Sequence, residues 1–359
     1  MTQKNGTRVG HVSPVDTGRR SLLRAAGSVA LAGPLLAMGG NAWGAPAVAT
    51  AKKTLTPLKF AWNQTAFCLT PIAVAKEAGI FAKNGLDVTL DNFGGSTDQL
   101  LEAIATGKAD AAIGMIHRWL KPLESGFDVK IVGSAHGGCL SLVAYQPAKI
   151  TRLSDLRGKT IGVADMGSPA KNFFSIYLRK HGIDPERDVT WRQYPRDLFG
   201  IAAEKGEIHA IADQDPQVFT IKKHSKGAFV DLATNISGEY KDKVCCVIGA
   251  RGELLRKNRP LVAALVRSVT EAVEYTTTHV DESAKIFFKY TTGITLEDLK
   301  SLYDTLNLHH HPTGADLRDE IAFYAEDFRG IGVLKSSTDP QKYADHVYEN
   351  VLGAQAHKH

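Results

Sequence analysis

From Leu58 onward, short apolar runs alternate with stretches whose apolar positions recur every three or four residues, the periods of strands and of amphipathic helices. Residues 58–62 read as the first strand. Residues 71–83 then read as a helix, with Pro71 near its start and Ala73, Ala75, Ala78 and Phe81 on its apolar side. A strand over 86–90, a helix over 97–106 and a strand over 109–115 follow, and residues 129–133 and 140–145 continue in strand character. A second round opens with a strand over 159–163. It runs on through a helix entered at Gly167-Ser168-Pro169 and lasting to Lys180, a strand over 189–194, a helix over 198–205 and a strand over 208–212. After an apolar stretch at 244–248 the pattern turns helical, from 260–277 onward to Leu352. Such alternation with short connections predicts parallel α/β layers, and its repetition predicts two lobes with a helical C-terminus.

One step recurs in both rounds. Ala105-Thr106-Gly107-Lys108-Ala109-Asp110-Ala111 resembles Ala203-Glu204-Lys205-Gly206-Glu207-Ile208-His209-Ala210, each a helix end, a glycine stop and a strand. In open sheets ligands gather beyond the carboxyl ends of the strands, so two lobes with matched edges enclose a cleft. The apolar runs at 140–145 and 244–248 are the expected crossover strands. These boundaries give one lobe of residues 55–140 plus 247–352, a second of 146–240, and a tail of 353–359.

Charge is concentrated at the N-terminus. The 359 residues carry 43 basic and 38 acidic side chains; Lys4, Arg8, Arg19, Arg20, Arg24 and Asp16 fall within residues 1–49, which leaves 38 against 37 in the rest. A body so close to neutral lacks the footprint of a nucleic-acid binder. Residues 17–49 run from charged through Ala/Gly/Leu-rich to small, the order of a signal peptide, and Arg19-Arg20 ahead of Leu22-Leu23 resembles the twin-arginine export signal. Gly33-Pro34 interrupts an apolar run too short for a permanent span. No cysteine precedes Cys68, which argues against a lipoprotein anchor. A free periplasmic, monomeric protein beginning near Thr50 is expected, without membrane insertion after cleavage.

Several segments carry a family resemblance. The run from Leu69-Thr70-Pro71 through Ala78-Gly79-Ile80-Phe81, then Asn84-Gly85-Leu86-Asp87-Val88, resembles the opening of solute-binding proteins of nitrate/sulfonate/taurine-type ABC importers. So do Gly107-Lys108-Ala109-Asp110-Ala111-Ala112, the stretch from Leu153-Ser154-Asp155-Leu156 to Gly162-Val163, and Asp215-Pro216. The resemblance implies a type II periplasmic binding protein fold, whose two lobes close over a small molecule for a membrane permease. The same stretch is similar to the thiamin-pyrimidine synthases, which share the fold and consume a histidine and pyridoxal phosphate. Met115-Ile116-His117 matches their donor-histidine motif, and Cys245-Cys246 falls where they have a longer cysteine cluster. Ile113, however, stands where their lysine would hold the cofactor, and Val247 and Gly249 stand where the cysteines would continue. An imine needs a primary amine, so neither this enzyme activity nor any cofactor is expected.

Candidate ligand contacts follow from the expected strand ends and helix starts. Ser96-Thr97 after Gly94-Gly95, and Ser168 after Gly167, begin helices where hydroxyls and free N–H groups favour an anion; each also suits a plain N-cap. Trp62-Asn63 ends the first strand, either as a cleft wall or as a side chain packed on its own lobe. His117 follows the strand over 109–115, and Asp215 occupies the corresponding point of the second lobe, with capping as its simpler role. Cys139 precedes one crossover strand and Cys245-Cys246 open the other, so the three meet near the hinge; alternation along a strand lets at most one of the adjacent pair face Cys139 or the cleft. Buried free thiols come first, a disulfide second and a metal contact last. His309-His310-His311, His357 and His359 read as solvated loop and tail, and no metal site is expected. No P-loop, nucleophile elbow or zinc-protease motif is present, so any ATPase is another chain. The expectation is a non-enzymatic binding subunit for a small anionic organic solute of sulfonate, nitrate, pyrimidine or aromatic-acid class. The lesser readings are a thiamin-pyrimidine synthase-like enzyme and a periplasmic sensor subunit.

Overall fold

The computed structural model describes residues 54–93 and 97–353; the expected signal peptide and most of the expected tail lie outside them. The strands are β1 (Thr56–Trp62), β2 (Leu86–Asn92), β3 (Ala111–Met115), β4 (Val129–His136), β5 (Leu140–Tyr145), β6 (Thr160–Val163), β7 (Thr190–Gln193), β8 (Ala210–Gln214), β9 (Phe229–Thr234) and β10 (Cys246–Arg251). The helices are α1 (Thr70–Glu77), α2 (Ile80–Lys83), α3 (Thr97–Ala105), α4 (Ile116–Glu124), α5 (Pro169–Lys180), α6 (Phe199–Glu204), α7 (Gln217–His224), α8 (Gly252–Lys257), α9 (Arg259–Thr278), α10 (Val280–Phe288), α11 (Leu296–Leu302), α12 (Gly314–Gly330) and α13 (Pro340–Val347). The helix expected over 71–83 is two helices, because Gly79 adopts a left-handed conformation (φ 73°) that interrupts the α1 turn before α2.

Two five-stranded sheets result, ordered β2-β1-β3-β10-β4 and β7-β6-β8-β5-β9. They are mixed rather than parallel. β1 runs parallel to β2 and β3, and β6 parallel to β7 and β8, but β10 is antiparallel to β3 and β4, and β5 antiparallel to β8 and β9. The exceptions are the two strands that enter a sheet from the other lobe. β4 leaves the first sheet at His136 and β5 begins the second at Leu140, whereas the chain returns from β9 of the second sheet to β10 of the first. With helices on the sheets and α9–α13 closing the chain, this is the type II periplasmic binding protein fold of two α/β lobes.

Apolar burial holds each sheet in place. Phe60, Trp62, Val88, Ile113, Trp119 and Ile248 are buried around the first, and Val143, Ile161, Phe173, Phe199 and Ile211 around the second. Burying one such side chain contributes roughly 1.5–3 kcal/mol. Gly249 permits a close approach within the first lobe: a Cβ there would lie 2.8 Å from Trp119 of α4. Among the described residues no helix is long and apolar enough to cross a membrane.

Candidate functional site

The ends of β1 and β3 in the first sheet face those of β6 and β8 in the second. Between them lies a cavity lined by Asn63, Met115, Arg118 and Cys246 on one side and Asp165, Arg196 and Gln214 on the other.

Two guanidiniums dominate the mouth. Arg118, in the first turn of α4, donates through Nε and Nη2 to the Asp98 carboxylate of α3 and through Nη1 to Asp165 Oδ1 at 3.2 Å, so it ties the first lobe to a loop of the second. Gly167 makes room for it, since a Cβ there would stand 1.7 Å from Nη1. Arg196, at the turn before α6, donates Nε and Nη2 to Asp213 of β8 at 2.7 and 3.1 Å. Burial pushes the Asp213 carboxyl up against the opposing pull of Arg196. Charge-assisted, two-point pairs of this kind fix guanidinium planes and leave their remaining N–H groups for an incoming oxyanion.

The floor is sulfur-rich. Cys68, His136, Cys139, Cys245 and Cys246 are all buried at the crossing between the lobes, and Cys68 and Cys246 border the cavity. Potential ligand atoms of Cys68, His136 and Cys139 lie within 4.8 Å of one another, and so do those of His136, Cys245 and Cys246. Cys139 Sγ is 3.8 Å from Cys245 Sγ, and none of the four thiols is in a disulfide. Hydrogen bonds from Cys139 and Cys246 hold the Cys68 thiol well below its usual range. The expectation that only one of Cys245 and Cys246 would reach this space is overturned. Cys245 precedes β10, and the β10–β4 ladder shifts register between Cys246 and Val247, so strict alternation does not govern the pair.

The structure brings some of the expected contacts to the cleft and not others. Asn63 lines it, with its Oδ1 accepting from Thr65 N at 3.0 Å and Thr65 Oγ1 at 2.8 Å; Cys139 joins the thiol floor. Trp62 is buried on its own lobe, edge-on to Tyr290 at 5.2 Å between centroids. His117 is buried among Phe173, Tyr324 and Phe328. Ser168 is a buried N-cap accepting from Lys171 N at 3.2 Å, and Gly167, which donates to Asp165 Oδ1 at 3.0 Å, serves as the platform under Arg118. Asp215 accepts from Phe219 N at 3.0 Å in α7, the capping role; burial raises its pKa. Thr97 opens α3, while Ser96 lies outside the described residues. The histidine run is not simply solvated: His311 is buried, and His310 Nε2 meets Glu320 Oε1 at 2.8 Å, whose other oxygen accepts from Val244 N. His357 and His359 lie outside the described residues. Sequence reasoning passed over Arg118 and Arg196, although both stand just after strands, where His117 and Asp215 were sought.

Pyridoxal phosphate does not fit. Ile113 lines the cavity where an anchoring amine would be needed, and no lysine is among the lining residues.

A family model described as NMT1/THI5 like matches residues 66–283. A putative binding protein of Brucella abortus is 27% identical over 286 residues, covering 76% of this chain and 84% of that one. In fold, the periplasmic aliphatic sulphonate binding protein SsuA of Escherichia coli matches with a TM-score of 0.68 at 16% identity, over 82% of this chain and 92% of its own. The periplasmic nitrate-binding protein NrtA of Synechocystis matches with a TM-score of 0.67 at 16% identity, over 83% and 87%.

Proposed function

Since the chain belongs to the NMT1/THI5-like family, we propose that it is the solute-binding subunit of an ABC importer, a binder and not a catalyst. The observation that carries this reading is the cavity itself, walled from both sheets and bordered by two guanidiniums that reach it from opposite lobes. The relatives named as binding proteins and the sulfonate- and nitrate-binding neighbours support the same reading. Lobes of 55–140 plus 247–352 and of 146–240 would hinge at the two crossings, and closure would offer a permease a surface that the open form lacks. The twin-arginine-like N-terminus would deliver the folded monomer to the periplasm.

The solute we infer is a small organic anion. Its oxyanion is received by the N–H groups of Arg196 and Arg118 that their carboxylate partners leave free, with Asn63 and Gln214 selecting the remainder. Each charge-assisted hydrogen bond is worth about 1.5–3 kcal/mol, roughly ten- to a hundredfold in affinity.

The test is mass spectrometry of molecules that co-purify with protein exported in a native host, followed by calorimetry with alkanesulfonates, nitrate and aromatic acids on the native chain and Arg196→Gln. A one-to-one anion whose affinity collapses in the variant is expected. If nothing co-purifies, and no anion of the panel binds or raises the melting temperature, the reading fails.

A further inference from the structure

We propose that the sulfur-lined floor of the cleft binds one soft d10 cation, Zn²⁺ or Cu⁺, between the Cys139 and Cys245 thiolates and His136, with Cys246 as the fourth ligand. The inference does not lean on the transport reading, because its probe is the metal alone.

Five potential donors from three separate stretches of chain converge here: Cys68 ahead of α1, His136 and Cys139 at the β4–β5 crossing, and Cys245 and Cys246 at the return crossing. Their spacing is that of ligands rather than of a bond. At 3.8 Å the Cys139 and Cys245 sulfurs are far outside disulfide contact, which requires about 2.05 Å. Two sulfurs each about 2.3 Å from a tetrahedral zinc stand about 3.8 Å apart.

His136 supplies a second, independent sign. Its Nδ1 lies 2.9 Å from the Gly137 carbonyl oxygen, which can only accept, so Nδ1 carries the proton and Nε2 the lone pair. That Nε2 is buried without a hydrogen bond of ordinary geometry, and the Cys68 thiol lies close enough to the ring to act on it. A ring whose orientation and tautomer are held by a backbone carbonyl, with its other nitrogen turned to a set of thiols, is the arrangement of a metal-ligating histidine.

The donor chemistry chooses the ion. Neither trio contains a carboxylate, and thiolate with imidazole favours zinc and cuprous copper over magnesium, calcium or manganese. Cys68 and Cys246 border the cavity, so an ion can enter from the cleft, and the protons displaced from the thiols leave by the same way.

The experiment uses the exported protein, reduced under anaerobic conditions and confirmed to carry four titratable thiols. Zinc and cuprous ion are added separately in competition with coloured chelators, and Co²⁺ serves as the spectroscopic probe. One equivalent of Zn²⁺ or Cu⁺ is expected to bind, and cobalt to show thiolate charge-transfer absorption with tetrahedral visible bands. Cys139→Ser, Cys246→Ser and His136→Gln should each weaken binding more than about tenfold. His309→Gln, on the exposed loop, should leave it unchanged. Circular dichroism checks each variant's fold, so that loss of binding in Cys246→Ser or His136→Gln still decides the matter if Cys139→Ser is unstable. The proposal is overturned if neither ion binds at one equivalent, if the folded cysteine variants bind as the native chain does, or if binding is lost only in His309→Gln. A Cys139–Cys245 disulfide in metal-free exported protein would overturn it too.

Discussion

The mouth and the floor of the cleft are neighbours built on opposite principles. At the mouth every guanidinium already has a carboxylate: Arg118 has Asp98 and Asp165, and Arg196 has Asp213. Water reaches this region, with the Arg118 and Asp165 side chains 24% and 48% exposed, so the pair across the cleft can be exchanged for a ligand at small cost. At the floor five potential donors are buried, with one imidazole turned among the thiols. A surface that trades partners suits reversible capture. A closed set of soft donors suits an ion that stays.

The largest effect should come from filling the floor. Ligand binding to the native state alone adds RT ln(1 + [L]/Kd), so free zinc at a thousandfold excess over its Kd should stabilise the chain by about 4 kcal/mol. Urea unfolding with and without a zinc chelator measures this, and Cys139→Ser should cut the shift by at least about 1.4 kcal/mol. An unchanged midpoint would make the floor ordinary thiol packing and erase the contrast with the mouth.

Next in size is Arg196→Ala. It strands Asp213, whose side chain is 4% exposed and whose pKa burial already raises. Breaking such a buried pair costs about 3 kcal/mol at pH 7, at the low end of the usual range because the guanidinium itself is partly hydrated. Protonation relieves the stranded carboxyl, so the penalty should shrink at pH 4. A loss below 1 kcal/mol in denaturant melts would show that the mouth is more solvated than the pairing implies.

Much of this fold could be read in the sequence, and the misses share a cause. Apolar runs located β1, β5 and β6 to within two residues, because burial dictates composition there. β9 went unread because Asp231 interrupts a half-exposed edge strand. Direction was misjudged because periodicity carries no sign, so β5 and β10 were grouped with parallel strands. At the cleft, chain position was read more accurately than face. Trp62 turns into the core while Asn63, one residue on, reaches the cavity, as alternation along a strand requires. His117 is buried while Arg118, about 100° further round the same helical turn, reaches it. The thiol floor was half seen: its hinge location was legible, but Cys68 and His136 join it only through tertiary contact.

A subtler change tests whether the mouth acts as a latch. Gly167→Ala places a methyl where Arg118 Nη1 now lies, and the obstructed atom is the end of a flexible side chain rather than backbone. The fold should therefore tolerate it while Arg118 swings away from Asp165. Solute affinity should fall about tenfold, equivalent to 1.4 kcal/mol, with a smaller change in unfolding free energy. Calorimetry with the co-purifying anion, paired with small-angle scattering of the apo form, separates the two. Unaltered affinity would mean that the Arg118–Asp165 contact accompanies closure without favouring it.

The smallest effect is one of slope. Burial raises the Asp215 pKa above its ordinary 3.8, opposed by a hydrogen bond from Thr305 and the backbone N–H of Phe219. Below pH 3.8 the carboxyl is protonated in folded and unfolded chains alike and carries no penalty. As pH rises through 3.8 and then through the raised native value, the unfolded chain ionises first, so the native state loses stability across that window. Asp215→Asn removes the titration yet keeps an oxygen that can accept from Phe219 N, 3.0 Å away in the native chain. The variant should gain on the native protein between pH 4 and pH 7, by less than either mouth substitution costs. Urea midpoints of the two chains across that range supply the test. Parallel curves would show that water reaches Asp215, and the sheltered interior would then stop at the floor of the cleft instead of extending to the start of α7.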